Sequence, residues 1–476
     1  MSDAADPPAA PPPGSPAAAP VDPGSLLRSK NYRVLLVLAS VIGVVVSVAA
    51  WGFLELIHYT QQWVYEELPG DLGFNTVPTW WPLPVLAVAG VLVAFAIVRL
   101  PGTGGHLPSD GVKTGGGPTQ PIELPGVVLA ALASVGLGLV LGPEAPLIGL
   151  GTGLAVFAVR AAKKDAPDQV VGLMAAAASF AAISSLFGSP IVGAIIIIEA
   201  AGLGGPTLPV ILLPGLLAAG IGSLVFIGMG SVTGLSTSAY AIPPLSLPAY
   251  HEPTVSAFAW TIVLAIVVAI VVFVIVQIGK QAQEVVSRRP WVVIPVAAVV
   301  VGGLAIAFGQ ITGKPADLVL FSGQDGMGQV VNQAATLSVS TLVLLILFKG
   351  LAYGISLGSG RGGPTFPAMF LGIVAGLLAS HLGFAETPAV AALMGAATVA
   401  VLRLPLSSVI LAMVVSQAGL SSAPLIIVGV VLAYITVRVL DARRDERAGT
   451  PAPTFPADGK VEPTAITTPP RPAAIP

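Results

Sequence analysis

Not one of the 476 residues is cysteine, which removes disulfides, thiol catalysis and cysteine metal sites together. Charge is scarce too: Asp, Glu, Lys and Arg make up 9% of the chain, against about 25% in soluble domains. With a formal net charge of −2 there is no excess of basic residues of the kind that nucleic acid attracts. The four histidines, His58, His106, His251 and His381, are too scattered to suggest a metal cluster. The expectation is a protein that is not an enzyme and carries neither metal nor cofactor.

What is abundant is apolar. Hydrophobic residues form 55% of the chain and the mean hydropathy is +0.91, which implies a polytopic membrane protein. The apolar runs are long and continuous, without the alternation of barrel strands, so the expected fold is all-α. Each crossing needs roughly 20 apolar residues, and length here counts crossings within one bundle. The Pro/Ala tract "MSDAADPPAAPPPGSPAAAPVDPGS" has no charged start followed by an apolar core and is not a signal peptide. Residues 1–28 and 443–476 are expected to be disordered tails around a transmembrane domain at 29–442.

Several apolar runs are shorter than a full span and are broken at Gly142-Pro143, Gly188-Ser189-Pro190 and Gly362-Gly363-Pro364. Such breaks point to helices that stop inside the membrane. Basic residues gather at Arg28, Lys30 and Arg33, at Arg160, Lys163 and Lys164, at Lys280, Arg288 and Arg289, and from Arg438 to Arg447. By the positive-inside rule these clusters, and with them both termini, are expected in the cytoplasm, while the polar stretch 233–255 faces out. A weak repeat relates the halves at about 80–230 and 255–440. Pro146 and Pro367 stand 221 positions apart (367 − 146), and Met174 and Met394 stand 220 apart (394 − 174). Duplicated membrane units commonly place a binding site at the midplane, where broken helices meet.

A helix N-terminus offers unpaired N–H groups and the positive end of the macrodipole, so it attracts an anion without holding it as a buried cation would. Glycine-rich turns that let backbone approach an ion occur at "GTGGH" (102–106), "GPEAP" (142–146) and "GGPTFP" (362–367), with hydroxyls at Thr103 and Thr365. Glu144 is conspicuous, because an ionised carboxylate near the middle of a membrane helix costs about 3 kcal/mol. At a helix start it is either a residue in interfacial water or a tethered competitor for the anion. Glu199, ending "IVGAIIIIEA", reads as an interfacial helix end, and Lys349 and Arg403 as snorkelling residues.

In their order, "GTGGH", "GPEAP", "FGSPIVGAIIIIEA", "GSGRGGPTFP" and "RLPLSSVILAM" resemble motifs of the CLC family of chloride channels and chloride/proton antiporters, over about residues 30–440. The resemblance implies a homodimer of inverted-repeat subunits made of tilted and broken helices, set in membrane lipid. Each subunit would have its own pathway for chloride or a similar small anion. It makes Glu144 the gate and Thr103 a chloride ligand. The anion-binding set carried over with the motifs is Thr103, Gly104, Gly142, Ala145, Gly363, Thr365 and Phe366. The expected location is a prokaryotic plasma membrane.

The departures are specific. Ala200 stands where antiporters of the family place an inner proton-transfer acid, leaving Glu199 beside it as the candidate for proton transfer. The family's central tyrosine aligns near Gly419. Gly105 and His106 replace an Ile-Pro pair, and Pro364 falls where a backbone N–H normally meets the anion, so an altered, wider and wetter site is expected. Paired cytoplasmic regulatory modules are not expected in the short tail that follows the membrane domain. The leading expectation is gated anion permeation. The runner-up is a chloride/proton antiporter with a non-standard proton path, and a third reading is a transport-inactive scaffold.

Overall fold

The structure, a computed structural model, describes residues 28–111, 117–204, 208–234 and 245–447. The expected tails therefore lie outside the described residues, apart from Arg28 and residues 443–447, and so does 235–244 of the polar stretch. Residues 443–447 are helical and belong to the last helix, not to a tail.

Among the described residues the chain is helical, with no strand. The first half contributes α1 (Lys30–Gln62), α2 (Pro82–Arg99), α3 (Leu124–Ala131), α4 (Glu144–Ala162), α5 (Asp168–Phe187), α6 (Pro190–Ala200) and α7 (Leu208–Thr233). The second contributes α8 (Val255–Arg288), α9 (Pro290–Thr312), α10 (Gln324–Asn332), α11 (Val339–Ser359), α12 (Thr365–Ser380), α13 (Glu386–Leu402), α14 (Pro405–Ser416) and α15 (Ala423–Arg447). Nine helical segments among the described residues are long and apolar enough to cross a membrane, while α6, α12, α13 and α14 are shorter apolar helices. The protein is an integral, multi-pass membrane protein.

Local sequence sets the helix starts. Ser29, Ser189, Thr254 and Ser338 each accept a backbone N–H of the following turn. Prolines open α2, α6, α9 and α14, where no N–H is needed. Side chains such as Val37, Val41, Val263, Val267 and Val296 stay exposed on α1, α8 and α9, as a lipid-facing surface requires.

Small residues bring the inner helices together. On α12, a Cβ at Gly372 would stand 2.5 Å from the Met394 Cα, and one at Gly376 would stand 2.4 Å from the Val390 Cα. This small-xxx-small pair lets α12 and α13 touch backbone to backbone, and α13 is buried from Thr387 to Leu402. Gly354 and Gly358 of α11 do the same against α8 around Ile275 and Gly279. α4 begins at Glu144 and α12 at Thr365, 221 positions later (365 − 144), the same offset that separates Pro146 from Pro367.

Chain direction fixes the faces. Trp81 at the head of α2 donates to the Val64 carbonyl beyond the end of α1, so α2 returns toward the face where α1 began. Gly151 of α4 packs against Val46 of α1, and α4 ends at the basic residues Arg160, Lys163 and Lys164. Arg99 stacks over Trp291, and Arg403 pairs with Asp441 at 3.0 Å. The basic clusters thus share one face. On the opposite face a cavity of about 810 Å³ opens between the ends of α1 and α9, the start of α2 and the turn before α10.

Candidate anion gate

Two interrupted helices meet at the floor of that cavity. The chain runs extended into Gly142, whose N–H donates to the Gly363 carbonyl at 2.7 Å, and Gly363 returns a hydrogen bond to the Gly142 carbonyl at 2.5 Å. This one antiparallel bridge ties the start of α4 to the start of α12. Neighbouring side chains close the remaining backbone groups: Ser356 accepts the Val140 N–H at 3.1 Å, and Ser134 accepts that of Arg361 at 2.9 Å. Pro143 and Pro364, which have no N–H, precede the two helices.

Glu144, the first residue of α4, is 1% exposed and reaches across the bridge to the other half. Its Oε1 accepts the backbone N–H groups of Thr365 and Phe366, each at 3.1 Å. Its Oε2 has no hydrogen-bond partner among the described residues and lies over the bare α-carbon of Gly363. The carboxylate therefore occupies the N-terminus of α12, the place where a free anion would be attracted.

The structure brings Gly142, Glu144, Gly363, Thr365 and Phe366 together. Pro364 does not deprive the site of donors, because the next two residues supply the amides, and its own carbonyl accepts the Tyr353 hydroxyl at 2.6 Å. Phe366 is fully buried and stacks on Phe187, with ring centroids 5.4 Å apart. With Glu144, Phe366 and Tyr353 all at 1% exposure or less, the expected wetter site is a closed one. The large cavity touches it at Pro143 and Phe370 and also presents His58, Lys314, Asp317 and Asp325. Asp317 and Asp325 are exposed to this cavity, and its walls raise their carboxyls above the ordinary aspartate value, opposed mainly by a Leu318 N–H at Asp317 and by His58 at Asp325.

Other expected residues lie apart from the carboxylate. Ala145 and the buried Gly104 line a second, small cavity beside the first turn of α4. Thr103 is exposed, with φ of 49°, and its carbonyl accepts the Arg361 Nε–H at 3.0 Å. Glu199 does not approach Glu144. It caps α14, accepting the N–H groups of Leu406 at 2.9 Å and Ser407 at 2.7 Å and the Ser407 hydroxyl at 2.6 Å. Gly419 lies in the turn before α15, close to Ser421, whose hydroxyl donates to the Tyr250 carbonyl, and lines neither cavity.

Lys349 does not snorkel. It is fully buried, and its Nζ donates to the Leu318, Val319, Leu320 and Phe321 carbonyls at 3.0–3.4 Å while lying 4.5 Å from the Phe370 ring centroid. Arg403 combines its ion pair with a hydrogen bond to the Ala400 carbonyl. Sequence reasoning missed Tyr353 and Arg361 as neighbours of the site. The signal for Arg361 was present, as a lone cation inside the glycine run "GSGRGGP".

The family model described as "Voltage gated chloride channel" matches residues 90–438. The ion-transport protein YfeO of Salmonella paratyphi A is 29% identical over 358 residues, covering 74% of this chain and 81% of that protein. The YfeO protein of Salmonella choleraesuis matches to the same extent. Among solved structures, a slow cyanobacterial Cl−/H+ antiporter superposes with a TM-score of 0.69 at 19% identity, covering 87% of this chain and 97% of that one. A CLC-type fluoride/proton antiporter superposes with a TM-score of 0.61 at 16% identity, covering 85% and 95%.

Proposed function

The chain belongs to the voltage-gated chloride channel family, and from that premise we propose that it passes chloride or a similar small anion through a pathway gated by Glu144. The observation that carries this reading is the Glu144 carboxylate seated on the Thr365 and Phe366 amides. An anion from the large cavity and the carboxylate compete for the same donors. Protonation or displacement of Glu144 vacates them, and the helix end then binds weakly enough for an ion to leave again. Thr103, Gly104, Gly142, Ala145, Gly363, Thr365 and Phe366 serve as walls and donors of this pathway. The basic face is read as cytoplasmic, with both ends of the chain on it, in a bacterial plasma membrane, and the subunit as half of a homodimer.

Proton-coupled exchange is the second reading, favoured by the two antiporters that the fold resembles. Against it stands Glu199, the candidate inner acid, whose oxygens are taken by donors of α14.

The test is chloride efflux and external pH recorded together from liposomes, with valinomycin setting the voltage. Gated permeation predicts efflux without proton movement against a gradient, and Glu144→Gln predicts efflux as fast or faster with its pH dependence gone. Wild-type flux with a wild-type pH response in Glu144→Gln would remove the gate assignment.

A further inference from the structure

The basic face carries charge that neither the gate nor the cavities use. There α8, α13 and α15, which pack against one another, come to their C-terminal ends. Arg403, in the left-handed turn after α13, is fixed by the Asp441 carboxylate of α15 and by the Ala400 carbonyl. Arg438 lies within its electrostatic reach. Lys280 of α8 is partly buried and lies within reach of Arg403, Arg444, Asp441 and Asp445. Four cations therefore share two carboxylates, one of which Arg403 has already taken. Lys280, Arg438 and Arg444 make neither an ion pair nor a side-chain hydrogen bond among the described residues. None of the four cations lines either cavity.

α8 supplies a second, independent observation. Gln277 precedes Lys280 by one turn on the same side of the helix, and its Nε2 is buried without a hydrogen-bond partner among the described residues. A buried amide donor forfeits a hydrogen bond unless an acceptor reaches it. Further from the basic face the same stripe of α8 exposes the apolar side chains of Val274 and Ile270. α15 repeats the gradient, with the exposed Ile435 and Val439 beside the exposed Arg438. From the middle of the membrane outward, the surface passes from bare hydrocarbon to an unpaired amide donor and then to unpaired cations.

We propose that this stripe holds one anionic phospholipid, its acyl chains along Ile270 and Val274, an ester carbonyl on the Gln277 amide, and its phosphate among Lys280, Arg438 and Arg444. The order of side chains matches the order of groups in a glycerophospholipid, from hydrocarbon through ester to phosphate. A free phosphate meets only the last of these and leaves Gln277 unpaired. A zwitterionic headgroup brings an ammonium against a cluster of net positive charge, so the site selects lipids of net negative charge. The proposal does not depend on what the chain transports.

The experiment measures binding of dioleoylphosphatidylglycerol and dioleoylphosphatidylcholine to the purified full chain in detergent, by native mass spectrometry. Wild type is expected to bind the anionic lipid at least about tenfold tighter than the zwitterionic one. Lys280→Gln and Arg438→Gln should each lower that preference about fivefold. Gln277→Leu keeps the bulk without the amide and should weaken both lipids alike, by about threefold. A control with Arg288→Gln and Arg289→Gln removes two charges from the same face about 12 Å further along α8, and should leave the preference within about twofold of wild type. Equal affinity of wild type for the two lipids overturns the site. So does a control that lowers the preference as much as Lys280→Gln, since diffuse surface charge then explains it. Arg438 is exposed, so if Lys280→Gln does not fold, an unchanged preference in Arg438→Gln overturns the site in its place. Displacement of the bound lipid by millimolar inorganic phosphate overturns the lipid assignment in favour of a free phosphate.

Discussion

Gly363 accommodates Glu144 only because it has no side chain: a Cβ on Gly363 would stand 1.5 Å from the Glu144 Oε2, where no atom can be. The backbone of Gly363 is not left-handed, so alanine meets no conformational penalty there, and the nearest conflicts are all with the Glu144 side chain, its Cβ included at 2.9 Å. Gly142 makes the same demand less severely, at 2.3 Å. The bridge between the two glycines therefore does two things. It joins the halves of the repeat, and it leaves a slot the size of a carboxylate over its own α-carbons.

Gly363→Ala should accordingly expel the Glu144 side chain from the α12 amides while leaving those amides in place. The expected result is chloride efflux at neutral pH raised several-fold, to about the Glu144→Gln level, with little remaining pH dependence. Efflux and pH response equal to wild type would show that the carboxylate does not control passage. Combining Gly363→Ala with Glu144→Gln should add nothing further, because both act on one interaction.

Lys349 ties α11 to the turn at 318–321. Its ammonium gathers four carbonyls of the turn at 318–321 beneath the large cavity, and charged hydrogen bonds of this kind contribute about 1.5–3 kcal/mol. Lys349→Met keeps the bulk and removes the donors, leaving buried carbonyls unsatisfied. A loss of about 3 kcal/mol is expected, read as a lowered unfolding temperature in detergent. An unchanged unfolding temperature would mean that water replaces the ammonium without penalty.

The parts legible in the sequence are those that depend on local chemistry. Gly142-Pro143 and Gly362-Gly363-Pro364 announced interrupted helices, and the 221-residue offset between Pro146 and Pro367 equals the spacing of the first residues of α4 and α12. Glu144 stood out because an acid in an apolar run needs a reason. Less legible was everything set by which helix lies opposite. The donors to Glu144 come from a segment 221 and 222 residues away, and those to Glu199 from one 207 and 208 residues away. No periodicity reveals such partners. Pro364 looked like a missing donor because alignment counts positions, whereas the helix turn presents whichever N–H groups follow the proline. Lys349 looked like a snorkelling residue because its reach is evident in the sequence and the carbonyls of 318–321 are not.

Asp325 provides a pH prediction outside the membrane spans. Asp325 is exposed to the large cavity, whose walls raise its carboxyl above the ordinary 3.8, with His58 opposing, so the folded state holds a proton that the unfolded chain releases earlier. Folding therefore binds protons in that interval, and stability declines as pH rises from the unfolded value through the folded one. Asp325→Asn removes the penalty. The variant should unfold at a higher temperature than wild type at pH 7 and show little difference near pH 3.5. An equal advantage at both pH values would point to packing as the cause.

Glu199 separates the two transport readings. It fills the N-terminus of α14 with a carboxylate, as Glu144 does for α12, but it sits at the end of α6 and its oxygens already have three donors. If this is its whole role, Glu199→Ala costs about 1 kcal/mol, the usual penalty for losing an N-cap, and leaves the relation between chloride and proton movement in liposomes as it was. Glu199→Gln keeps one acceptor oxygen, so its stability should fall between the two. If Glu199 delivers protons, the order changes. Gln cannot ionise, so it would abolish proton movement as completely as Ala does while folding better, and chloride would continue to pass without its countercurrent. A capping residue yields a graded stability series with constant coupling, whereas a proton carrier yields an all-or-none loss of coupling unrelated to stability. Measuring unfolding temperature and proton flux on the same three proteins decides between them.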